Sequence, residues 1–178
     1  MLIVLVATVI VVLAIGAYVY IGQKPPVAAG QIVKLDVVPI HSETNIGTPG
    51  QGSGGGTEIY DQLFVLAQVH IRNQTNIPLF VHDMWANLTT ANGGEQRSLN
   101  ASKTDFQQVF LAYPQMLPLK AQPLQRDITL EPGQSVDGLM IFHYPITKDQ
   151  WEARQSFTAV ISFLHQKNLT LPWPVPNK

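Results

Sequence analysis

Hydrophobic positions fall along this chain in two regimes. The first is the run MLIVLVATVIVVLAIGAYVYI, 21 residues without a charged side chain and without a polar stripe at helical spacing. As an α-helix, residues 2–21 rise about 30 Å at ~1.5 Å per residue, the thickness of a bilayer's hydrocarbon core. The pattern predicts one transmembrane anchor over residues 1–22, with Leu2, Leu5, Val9, Leu13, Gly16, Tyr18 and Tyr20 as its anchor residues. Tyr18 and Tyr20 sit where amphipathic rings favour the headgroup layer, and Gly16 lies among small residues that permit close helix approach. A cleaved signal is the competing reading, with Val27-Ala28-Ala29 as its cleavage site. It lacks a basic n-region, and the apolar run exceeds the usual core of about 7 to 15 residues.

The second regime is alternation. After Pro25-Pro26 ends the helix, residues 23–31 read as a tether, and 32–38 as a β-branched first strand closed by Pro39. Residues 41–57, with GTPGQGSGGG at their centre, read as a mobile loop. The clearest strand is 63–73: Leu63, Val65, Ala67, Val69 and Ile71 share one face, Gln68, His70 and Arg72 the other. Residues 79–90 form a second long strand, and the two runs read as a hairpin. Residues 124–130 form a strand ended by Glu131-Pro132-Gly133-Gln134, a type II turn with proline and glycine at its two centres. Val136, Gly138, Met140, Phe142 and Tyr144 then line one face of a strand, as do Phe157, Ala159, Ile161 and Phe163 further on. Between them Thr147 and Gln150 form a capping box that folds Trp151 onto the core. With a short strand at 169–171 the count is about seven, the spacing of an antiparallel β-sandwich over residues 32–172.

The stretch SKTDFQQVFLAYPQMLPL breaks this alternation. Ser102 and Asp105 form a capping box, Phe106, Val109, Phe110 and Tyr113 share a helical face, and Pro114 stops the helix. Its apolar exit either closes one end of the sandwich or presents a patch to a partner or the bilayer surface. Candidate partner contacts are Tyr113, Met116, Leu117 and Leu119, with Trp173 in the proline-rich tail 173–178.

The order of Val69-His70-Ile71-Arg72-Asn73, Trp85, Leu130-Glu131-Pro132-Gly133-Gln134-Ser135 and Gly138-Leu139-Met140-Ile141-Phe142 resembles membrane-anchored immunoglobulin-like domains of unknown function in bacteria. That resemblance implies an immunoglobulin-like fold and no reaction.

Charge and composition narrow the function. A net charge of −1 with no basic run gives no footprint for nucleic acid. The absence of cysteine removes disulfides, thiolate metal sites, a lipid-anchoring cysteine and a cysteine nucleophile. The five histidines match no metal-ligand spacing, Gly52-Ser53-Gly54 lacks a nucleophile elbow, and the same glycines lack the Gly-Lys ending of a phosphate loop. Four Asn-x-Ser/Thr sequons, at Asn73, Asn87, Asn100 and Asn168, exceed the chance expectation, although Asn and Thr are also ordinary turn residues. No catalytic, cofactor or metal residue is expected. Lys24 and Lys34 would, by charge bias alone, hold the domain in the cytoplasm; its exported character and the short upstream segment favour the periplasmic or extracellular side. Two functions fit: a non-catalytic accessory subunit of a larger membrane complex, in contact with lipid and integral membrane subunits, or a free tethered module for a small ligand, glycan or transient partner.

Overall fold

The computed structural model describes residues 9, 11–13, 15–16, 26–46 and 56–175. Among these, no helix is long and apolar enough to cross a membrane. The expected anchor falls for the most part outside them: of its anchor residues only Val9, Leu13 and Gly16 are described, all helical and exposed.

The fold is mainly β and antiparallel. Its strands are β1 (Ala28–Ile46), β2 (Gly56–Asn73), β3 (Leu79–Thr89), β4 (Glu95–Leu99), β5 (Thr129–Leu130), β6 (Ser135–Tyr144), β7 (Ser156–Phe163) and β8 (Leu169–Trp173). One sheet has the order β1-β2-β6; the other runs β4-β3-β7-β8, with β5 also pairing β3. The inward residues expected on β2, β6 and β7 meet those of β3 in one core: Val65, Ala67 and Phe142 from the first sheet against Met84, Leu88 and Phe157 from the second. Phe142 and Trp151 both meet Phe157 edge-on, at 6.0 and 5.1 Å between ring centroids. Tyr144 crosses the layers, its buried hydroxyl donating to the Ala86 carbonyl at 2.9 Å.

Four expectations are corrected. The runs 63–73 and 79–90 are no hairpin: β2 already has β1 on one edge and β6 on the other, so β3 pairs elsewhere. The Asn92-Gly93-Gly94 turn instead joins β3 to β4, with Gly93 at φ 82° and Thr90 N–H bonded to the Gly94 carbonyl at 2.9 Å. The tether and the glycine-rich loop are both shorter than expected. Strand β1 starts at Ala28, runs on to Ile46 and pairs with β2 as far as Gly56, leaving 47–55 outside the described residues. Among the described residues the strands number eight, against an expected count of about seven; β4, EQRSL, has too few apolar residues to betray itself.

The turns behave as expected. Gly133 has φ 75° and Gln134 N–H donates to the Glu131 carbonyl at 2.9 Å, the type II pattern. Asn73, at the end of β2, is 0% exposed. Its amide nitrogen donates to the Ile77 and Leu130 carbonyls at 2.8 and 2.9 Å, and its oxygen accepts from Thr75 N–H at 2.8 Å. One side chain thereby closes the turn into β3 and ties the first sheet to β5 of the second.

Strand β6 lies at the edge of the first sheet, where unpaired backbone groups would invite foreign strands. That edge is occupied. Ile141 N–H donates to the Asn100 side-chain oxygen at 2.8 Å and His143 N–H to the Ser98 hydroxyl at 2.9 Å. Leu139 N–H reaches the Gln122 carbonyl at 2.8 Å. A Cβ on Gly138 would stand 2.6 Å from Leu124 Cβ, so only glycine lets this segment approach.

Candidate functional site

The inserted segment builds a layer on the outside of the first sheet. Helix α1 (Lys103–Ala112) begins as expected: the Ser102 hydroxyl accepts from Asp105 N–H at 3.2 Å, and the Asp105 carboxylate accepts from Ser102 N–H at 3.2 Å. The Ser102 hydroxyl also donates to that carboxylate, and with the backbone bond it holds the Asp105 pKa below the usual carboxylate range. Pro114 ends the α-helix and opens a 3-10 turn, Pro114–Leu119. Phe106, Phe110 and Met116 sink into a second core with Ile40, Phe64, Leu66, Leu139 and Ile141. The segment therefore covers a sheet face; it does not close an end of the sandwich.

This layer divides the expected partner contacts. Leu117 is 50% exposed and available. Tyr113 and Leu119 are half-buried against the second core, Tyr113 with its ring 5.0 Å from that of Phe64. Met116 is corrected outright: it is 0% exposed and fills the second core, because the 3-10 turn aims it at the sheet. Trp173 is corrected in part. It is the last residue of β8, paired with Phe157 and half-buried on the main core, not part of a loose tail. The most exposed apolar side chain of the layer is one the sequence reading passed over, Leu111 at 73%. Its signal was available, since at ~100° per residue Leu111 stands off the Phe106 and Phe110 face. Leu111, Leu117, Phe110, Pro114, Gln107 and Lys120 line a surface groove of about 390 Å³. The Lys120 ammonium lies 5.6 Å from the Phe110 ring centroid, which gives the groove one cationic rim.

A larger cleft, about 550 Å³, lies between the β3–β4 turn and the short helix α2 (Lys148–Glu152). Its walls are mixed: Thr90, Asn92, Glu95, Gln96, Asp149 and Gln150 stand beside Ala91, Ile146 and Ala153. Helix α2 starts with the expected Thr147 and Gln150 capping box and buries Trp151.

The histidines are dispersed. His70 and His41 each place Nδ1 2.7 Å from a carboxylate oxygen, of Asp137 and Asp61 respectively. His143 bonds Gln62 through Nε2 at 3.1 Å and packs its ring 5.0 Å from Phe64; the partial burial lowers its pKa. No group of three His, Asp or Glu side chains converges among the described residues. Of the four sequons, Asn73 and Asn100 are buried and spent on structural hydrogen bonds, whereas Asn87 and Asn168 are exposed. The first two cannot accept a glycan in this fold.

No protein-family model matches this chain, and no curated protein matches it. Among solved structures it is similar to the yjhA protein from Bacillus subtilis, at 15% identity and a TM-score of 0.44 over 84% of this chain and 93% of that one. It is also similar to a functionally unknown protein from Listeria monocytogenes EGD-e, at 10% identity and a TM-score of 0.44 over 86% of this chain and 80% of that one.

Proposed function

We propose that this chain is a non-catalytic, single-span membrane protein whose immunoglobulin-like sandwich, held on the periplasmic or extracellular side, is an accessory subunit bracing the exposed face of a larger membrane complex. The observation that carries this reading is the exposure of Leu111 and Leu117 on a rigid, capped and proline-ended layer. Apolar side chains displayed around a groove are the ordinary mark of a protein contact, and the second core beneath them fixes their position without the loss of loop entropy on binding. The uncharged run of residues 2–21 supplies the tether and a surface for packing against membrane-embedded subunits.

The test is purification in mild detergent through a tag at Lys178, with mass spectrometry of what comes with it. We expect integral membrane proteins to copurify, and the Leu111→Ser, Leu117→Ser pair to release them while changing stability by no more than about 0.5 kcal/mol per site. A lone monomer, unchanged after crosslinking in intact membranes, sinks the subunit reading. It would promote the free binding module, for which the cleft beside α2, with its mixed lining, is the place to look.

A further inference from the structure

Arg154 is the one charged side chain in the core among the described residues, 3% exposed. It follows α2 and lies at the end of the sandwich where β8 finishes. One terminal nitrogen donates to the Trp151 carbonyl at 3.0 Å and the other to the Pro174 carbonyl at 3.0 Å. The guanidinium stacks over the Trp151 ring, 4.2 Å from its centroid. Its Nε is buried without an acceptor, and among the described residues no carboxylate comes within ion-pair distance of it. Burial pulls its pKa below the ordinary value, which the nearby Glu152 charge partly opposes.

A guanidinium is built to grip a carboxylate with two parallel hydrogen bonds, and here it is satisfied by single neutral carbonyls. Among the described residues, the Pro174 bond is the last polar contact, just beyond a weak strand. Strand β8 is five residues long, sits at a sheet edge, and offers no amide donor at Pro172, nor does Pro174 beyond it. Leu171 is buried and Trp173 half-buried, so packing and the Arg154 bond to Pro174 together hold this strand.

We propose that Arg154 latches residues 169–175 as a releasable strap, whose opening frees Trp173 and bares the edge of β7 that β8 covers. The strap opens locally, without unfolding the sandwich, because β2, β3 and β6 do not depend on the latch for any hydrogen bond.

Native-state hydrogen exchange on the full-length chain tests this. In the wild type the amides of Leu171 and Trp173 should exchange at least about tenfold faster than the protected amides of β2 and β3. Arg154→Gln should speed β8 by about tenfold more and leave β2 unchanged, with Arg154→Lys falling between. Wild-type β8 amides as protected as those of β2 would overturn the proposal, whether or not the variants fold. So would an acceleration by Arg154→Gln spread evenly over the chain, which would mark Arg154 as a core residue and nothing more.

Discussion

The two sheets treat their outer faces differently. On the first, Phe64, Leu66, Leu139 and Ile141 point away from the main core and are still buried, because α1 and the 3-10 turn lie over them. On the second, the corresponding positions of β3 and β7 carry Trp85, Asn87, Thr158 and Ser162, half-buried or exposed, and Val160 alone among these outer positions is buried. Strand β2 shows the boundary within itself: residues 63–67 are buried without a break, while beyond them Gln68, His70 and Arg72 alternate with the core. The covering layer spans half a sheet, and where it stops the ordinary alternation resumes.

The contrast can be broken most directly at Phe110. Phe110→Ala should destabilise the fold by about 3–5 kcal/mol in urea unfolding, whereas Thr158→Ala on the bare face should stay within about 0.5 kcal/mol. Equal effects would mean that the layer is an ornament and not a second core. At the joint between the sheets, Asn73→Ala strands two carbonyls and should cost about 2–3 kcal/mol, measured the same way. A loss below about 0.5 kcal/mol would remove Asn73 from its place as the tie. Ser102→Ala tests the seating of the layer alone. Loss of the cap should cost about 1 kcal/mol and raise exchange in α1 before it is seen in β3.

The smallest effect is in pH. His143, beside the covering layer, has a folded pKa below its ordinary value of 6.5 through partial burial. The unfolded chain therefore binds more protons at that site, and stability should decline as pH falls from about 6.5 toward the folded pKa, with the contribution constant above that window. Replacing His143 by Gln should flatten this part of the melting-temperature profile; an unaltered slope would assign it to other groups.

Much of this was readable in the sequence where a local rule governs. The faces of β2, β6 and β7, both capping boxes and the Pro132-Gly133 turn follow from periodicity and backbone preference, which depend on near neighbours. Strand partnership was not readable: β2 pairs with β6 across 67 residues at His70 and Asp137, and no turn chemistry announces such a choice. The sequence also placed the apolar exit of α1 as a candidate contact without dividing it. Met116 and Leu117 are adjacent and equally apolar, and only the tight 3-10 turn sends one inward and the other out. Buried asparagines carry the same lesson, since the sequons left two readings open and at Asn73 and Asn100 the side chain is a hydrogen-bonding post inside the fold.

The edge of β6 has a consequence for how the molecule comes apart. Ser98 and Asn100 bracket the end of β4, which belongs to the second sheet, yet the amides they satisfy belong to the first. Peeling either sheet away would break the bonds to Ile141 and His143 along with the shared core, so the two layers are expected to separate only together. Two short polar side chains thereby add to the shared core a tie of a different kind, directional and specific, between the edges of the two sheets.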